Sequence, residues 1–379
     1  MQKHRLDEID ILRGLAFLAI AMQHSLAVFI HTPDLDNISA WVSAFVLILI
    51  RYAVPLFITI TGLVLLYNHG QDEFSYGQFI KKRFTQAFIP YFVWTIIYYV
   101  WSSGPAIPAN PWAAPAAIAK LTLSGDACYH LWFMVAIIQF YLLFPFFRWL
   151  ILRNKNQPIL FLTVSLIAYL GLMCLWGQPL PQILNLQSPW LLTLWNYRDR
   201  VFLSWFFYFI LGGFAGMYVG KLNQITKDIQ KTNVFIYPAM FVFVFCQVAA
   251  TGQTGLSGTY QLNFNYTLPL TPVMAFFITS ALLTVLFRAQ TAFRRYRNLH
   301  FGLKLYGRYS YGCYFVHALV LFYINTLAGP SIRDFPILLQ LALTFSACAL
   351  LSLGLVYIVD RLRIPGRRYL IGTIPPRRN

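Results

Sequence analysis

Residues 10–25 read DILRGLAFLAIAMQHS. The run is apolar enough to cross a membrane, yet it carries Asp10, Arg13 and His24. In a helix, the eleven residues from Arg13 to His24 correspond to a rise of about 16 Å and a rotation within roughly 20° of three full turns. Both side chains therefore point the same way, and Asp10, three residues before Arg13, shares their face. Taken alone, Arg13 fits an interfacial cation with Asp10 as its partner. His24 resists that reading, because an ionisable group at membrane depth is costly, faces the interior and is commonly functional. With the apolar run taken as residues 11–32, the polar stripe starts at the cytosolic interface and reaches about mid-membrane.

The rest of the chain repeats the theme. Of its 379 residues, 58% are hydrophobic, 18% aromatic and only 11% charged, far from the averages of soluble domains. A membrane helix needs roughly 20 apolar residues. Ten such runs are found, near residues 11–32, 41–67, 84–103, 130–152, 158–177, 201–220, 233–250, 267–287, 307–327 and 336–359. They are continuous rather than alternating, which predicts an all-α polytopic bundle of about ten transmembrane helices and excludes a β-barrel. No second domain, internal repeat or low-complexity tail interrupts residues 1–379, so a single membrane domain with no appended soluble domain is expected.

Orientation follows from the 29 lysines and arginines, which cytoplasmic loops retain. With the N-terminus inside, the outer loops hold only Lys120, Arg198, Arg200 and Arg333. Both termini are thus expected in the cytoplasm of a multi-pass plasma-membrane protein. Basic clusters fall at Lys81, Lys82 and Arg83, at Arg294, Arg295 and Arg297, and from Arg361 to Arg378. The net charge of +17 does not imply nucleic acid, because no soluble domain organises these clusters; topology and anionic membrane lipid account for most of it, and a polyanionic cytosolic substrate is the second reading. The first run exceeds the core of a signal peptide and lacks a small-x-small cleavage site, so it is expected to be retained. The five cysteines form no metal-ligand spacing, and neither a disulfide nor a metal site is implied.

Other spans bring polar groups to similar depth. Arg51 lies about ten residues into the second run, within ILIRYAVPLFITITG. In YGRYSYGCYFVHA, Ser310, Tyr314 and His317 fall at i, i+4 and i+7 and share a helix face. Equal depth predicts that His24, Arg51 and His317 converge on one internal cavity; a structural role for His317, bonding Tyr or Ser across a helix pair, is the competing reading. In LGGFAGMYVG, the spacing of Gly212, Gly216 and Gly220 signals close helix packing. The outer segment TGQTGLSGTYQLNFNYT at 251–267 is uncharged and rich in hydroxyls and amides, suited to a flexible loop or to binding a sugar. There is no P-loop, GxSxG or HExxH, so hydrolase and nucleotide-driven pump readings lack support.

The arginine-x10-histidine spacing of DILRGLAFLAIAMQHS resembles the first-span signature of the membrane acyltransferase family 3. The resemblance continues in order through RYAVPLFITITG, KKRFTQAFIPYFVW, YHLWFMVAIIQFYLLFP, YFILGGFAG and YSYGCYFVHA, and so covers essentially the whole chain. It implies an O-acyltransferase that takes an acyl group, commonly acetyl, from cytosolic acyl-CoA and passes it to a hydroxyl of an extracytoplasmic sugar or polysaccharide. By position, His24 is implied as the catalytic histidine and Arg13 as its partner at the cytosolic mouth, with Lys81, Lys82 and Arg83 as the basic motif before the third span. One common pattern has two arginines spaced by two residues there. Here Thr85, Gln86 and Ala87 follow, leaving the lysines to compensate.

Physically, such an enzyme sets the phosphates of acetyl-CoA against the inner basic cluster and lets the long thioester arm rise along the stripe. His24 then acts as general base on the acceptor hydroxyl, or forms an acyl-histidine, with Arg51 or another midplane donor stabilising the oxyanion and His317 completing the site. The alternative is a transporter or flippase, since polar midplane residues also line substrate pathways. No counterpart of the Arg13–His24 stripe occurs in spans six to ten, which counts against related transporter halves.

Overall fold

In the computed structural model, which describes residues 7–30, 35–70, 73–103, 113–185, 187–221, 224, 227–254, 260–295 and 300–372, every apolar run is helical. The first, α1 (Asp7–Ala27), is the most enclosed of the helices long enough to cross a membrane. Two thirds of its span (67%) is buried inside the protein, against 17% for the span of α9 (Pro158–Trp176). A helix apolar on every side and buried on few of them is suited to lipid contact, whereas α1 carries polar groups that only the interior can accommodate.

The second apolar run is divided into α2 (Asn37–Ile50) and α3 (Ala53–His69), with Arg51 and Tyr52 at the joint. Pro55 explains the break, because it has no N–H to give the Arg51 carbonyl four residues earlier. The third run consists of α4 (Tyr76–Arg83), a π-turn at Phe84–Phe88 and α5 (Ile89–Ser103). Beyond it, α6 (Ala113–Ser124) is a short helix that follows residues 104–112, which lie outside the described residues. Next come α7 (Trp132–Leu142) and α8 (Phe144–Arg153), bent by 60° to each other, then α9, α10 (Pro189–Asn196) and α11 (Phe206–Met217). The chain continues through α12 (Lys227–Ala250), α13 (Pro272–Arg295), α14 (His300–Tyr323) and α15 (Ile337–Arg361). Two-residue strands at Gln253–Thr254 and Tyr260–Gln261 pair antiparallel in the 251–267 segment, of which residues 255–259 lie outside the described residues.

The all-helical class therefore stands. Among the described residues, six helical stretches are long and apolar enough to cross a membrane, or seven if α7 and α8 form one broken span. The runs expected at 84–103, 201–220 and 267–287 are helical over shorter apolar lengths in α5, α11 and α13.

Small residues bring the central helices together. A side chain at Gly307 of α14 would collide with the Asp10 carbonyl of α1, and one at Gly14 would meet the Leu303 carbonyl in return. The Gly212 and Gly216 pair of the expected stripe packs on Thr59 and Leu63 of α3, while Gly220 has open space above it. Without a hydrophobic drive between helices in lipid, such backbone contact is a main source of helix association.

Candidate active site

Three imidazoles meet where α1, α14 and the loop before α7 come together. His24 stacks on His317 with ring centroids 5.3 Å apart, and His130 stands edge-on to His317 at 4.7 Å. His317 is fully buried and His130 nearly so, while His24 is half-buried beneath the exposed Tyr129, whose ring lies 4.7 Å away. His24 lies in the last turn of α1. The expected run of 11–32 placed it near the middle of a span. The helix instead ends at Ala27, so His24 sits toward the end away from Arg13.

The polar atoms of the cluster are incompletely paired. His317 Nδ1 lies 2.7 Å from the Tyr314 carbonyl. A carbonyl only accepts, so in the neutral ring Nδ1 carries the proton and Nε2 presents a lone pair. That Nε2 and both ring nitrogens of His130 are buried with no hydrogen-bond partner. The nearby Phe315 carbonyl accepts from Tyr98 Oη at 2.7 Å. Tyr314 ties the loop to the helix by donating to the His130 carbonyl at 2.5 Å. Unpaired buried nitrogens cost stability and mark groups free to handle a proton. Among the described residues, no group of three or more His, Cys, Asp or Glu side chains is placed to hold a metal ion.

Arg51 is close enough to His24 for their charges to interact. Its Nε and one Nη are held by the buried Thr267 Oγ1, at 3.2 and 2.7 Å, so the guanidinium is fixed against the 251–267 segment rather than stacked into the cluster.

On the Arg13 side, a cavity of about 430 Å³ opens between α1, α4, α7 and α14. Among the described residues, Arg13, Lys82, Arg83 and Arg308 line it and no carboxylate does. Asp10 instead lies 3.8 Å from the Arg13 guanidinium. The Nε atoms of Arg83 and Arg308 are buried without a partner. The Arg83 guanidinium is sandwiched against the rings of Phe79 and Tyr141, at 5.3 and 5.2 Å. Apolar side chains such as Phe57, Phe133 and Ile137 continue the walls inward. The inner wall is Tyr314, whose ring lies 5.1 Å from His130 and 6.1 Å from His317.

Of the residues singled out in the sequence, the structure brings His24 beside His317, and Arg13 beside Lys82 and Arg83. It does not bring His24, Arg51 or His317 into the wall of this cavity. Lys81 is exposed and outside it, so of the two lysines expected to compensate for a second arginine only Lys82 is in place. Arg308, which drew no attention in the sequence, stands in the cavity instead. Arg297 and the cations from residue 373 onward lie outside the described residues, and the side chains of Arg294 and Arg295 are not described.

Compared with known families, the chain matches the acyltransferase domain of family 3 over residues 6–361. No curated protein and no solved structure matches it.

Proposed function

The chain belongs to acyltransferase family 3 and is a multi-pass membrane acyltransferase; from that premise we propose that it transfers an acyl group, acetyl in the first instance, from cytosolic acyl-CoA to a hydroxyl of an extracytoplasmic sugar or polysaccharide. The single observation that carries the donor assignment is the pair of buried, unpartnered guanidinium Nε atoms of Arg83 and Arg308 in a cavity with no carboxylate among its described lining residues. Such atoms lack an acceptor, and the diphosphate of a CoA thioester supplies charged ones in the geometry that guanidinium prefers. Arg13 and Lys82 add charge at the mouth, and the aromatic inner walls suit an uncharged pantetheine arm.

In this reading His24, reached from the Tyr129 side, accepts the proton of the acceptor hydroxyl as that oxygen attacks the thioester carbonyl. The new C–O bond forms, the C–S bond breaks, and the departing thiolate takes up the proton. His317, stacked on His24 with its Nε2 lone pair, and His130 beside it share the proton in the interval. Arg51 contributes positive charge above the cluster. Both termini lie on the cytoplasmic side of the plasma membrane, the ten helical runs together make the bundle, and residues 1–379 act as one domain.

The test is acyl-CoA consumption by the purified protein with a glycan acceptor, for the wild type and for His24→Ala. Wild type is expected to release free CoA in step with acceptor acylation. The variant should fall by about 10²- to 10⁴-fold in kcat, the usual contribution of a general base. Undiminished transfer by His24→Ala rejects the catalytic assignment, and acceptor movement without thiol release favours a transporter.

A further inference from the structure

The matched domain ends at residue 361, but the chain beyond it is folded back and fixed under the bundle. Trp94 Nε1 of α5 donates to the Leu370 carbonyl at 2.7 Å, Ile371 is buried, and Gly372 adopts a φ of +75° where a side chain would strike the Tyr311 ring. This anchoring holds Arg367 and Arg368 beside a second cavity of about 420 Å³, lined also by Lys82, Thr85, Gln86 and Asp360. Lys82 and Gln86 are walls of the first cavity too, so the two chambers adjoin. Three cations face one carboxylate, and that carboxylate is engaged. Asp360 accepts from Tyr309 Oη at 3.0 Å and pairs with Arg367 Nε at 3.5 Å. Ordering a charged segment costs conformational entropy, and here the ordered segment delivers two guanidinium groups to the rim of a cationic cleft.

We propose that Lys82, Arg367 and Arg368 form a second phosphate site, which takes the terminal phosphomonoester of the donor. The inference rests on the acyl-CoA reading of the first cavity. A CoA thioester carries its reactive acyl group at one end and a ribose 3′-phosphate at the other. With the diphosphate at Arg83 and Arg308 and the arm directed inward, the 3′-phosphate is left at the mouth, where the second chamber adjoins. A phosphomonoester carries close to two negative charges at neutral pH and several strong acceptor oxygens, matching arginine forks better than a phosphodiester does. The two arginines lie outside the matched domain, so the site joins a residue of the domain, Lys82, to a segment that follows it. The shared chemistry, a phosphate group, is also that of an anionic lipid headgroup, and the experiment separates the two sources.

The full-length protein in phosphatidylcholine nanodiscs is assayed with acetyl-CoA and with 3′-dephospho-acetyl-CoA. Wild type is expected to prefer the phosphorylated donor by about tenfold in kcat/KM, the size of one charge-assisted hydrogen bond, with the preference carried by KM. In R367Q/R368Q the ratio should fall toward one. Equal use of both donors by the wild type overturns the proposal while leaving the acyl-CoA reading intact; consumption of neither donor overturns that reading itself. If phosphatidylglycerol in the nanodisc, rather than the donor's 3′-phosphate, is what the double variant ceases to respond to, the site belongs to lipid and the proposal fails. Should the double variant not fold, a salt series on the wild type suffices. The donor preference must shrink as ionic strength rises, and a salt-independent preference rules out the cationic chamber.

Discussion

His130 is the residue that the structure adds to the site. Its ring is buried at 4.7 Å from His317, and neither nitrogen has a partner, so its chemistry is available to the proton that His24 would remove. His130→Phe keeps an aromatic ring in the packing while deleting both nitrogens. It should lower kcat by about 10-fold or more, toward the low end of acid–base effects, leave the KM for acyl-CoA near that of the wild type, and change the pH profile of kcat. A KM effect with kcat intact would mean that the ring only supports the cavity wall. His24 and His317 were legible in the sequence because each interrupts an apolar run at a spacing that gives it helical neighbours. His130 was not, because it stands at the start of an expected span, between Tyr129 and Leu131, where a histidine is ordinary. The Tyr314 hydroxyl bond to its carbonyl helps to draw that loop into the interior, a contact that only the fold supplies.

At the scale of elements, the site depends on how closely α1 and α14 approach. Gly14 and Gly307 place backbone on backbone, and the helix pair in turn sets His24 against His317. Gly307→Ala has no flexible side chain to displace, since the obstacle is the Asp10 carbonyl itself. Overpacking of this kind costs about 1–3 kcal/mol or more, and because Gly307 and Arg308 line the first cavity, the proposed donor site, the variant should also raise the KM for acyl-CoA. A thermal melt in detergent with a parallel KM measurement checks both, with Gly220→Ala, which faces open space, as the control expected to melt like wild type. The glycine stripe of α11 was readable from its four-residue period. The Gly14 and Gly307 contact was not, because each is a single glycine in a different helix and only the fold pairs them. Helix ends were also hidden: an apolar sequence continues past Ala27, and hydropathy does not register where the backbone stops winding.

For the whole molecule, the placement of charge would set the direction of the proposed reaction. Arg13, Lys82, Arg83, Arg308, Arg367 and Arg368 gather around the two adjoining cavities at one end of the bundle. At another cavity, Lys120 and Arg200 stand with Tyr197, and Arg200 pairs with Asp126 at 2.7 Å, tying α6 to the segment after α10. The distribution of cations along the sequence predicts which of these groups face the cytoplasm, because it depends on composition along the chain and not on tertiary contact. The return of the C-terminal segment to Lys82 depends on Trp94, 276 residues before Leu370, and on Tyr311, and no local pattern reports it. The polarity itself is testable. In a chain whose five cysteines are replaced by serine, Lys120→Cys should react with a membrane-impermeant maleimide in intact cells. Arg363→Cys, on the exposed turn after α15, should react only after permeabilisation. The reverse pattern would put the donor cavities on the outside, where acyl-CoA is absent, and a transfer running from cytosolic donor to outer acceptor through the His24 cluster would then have no physical route.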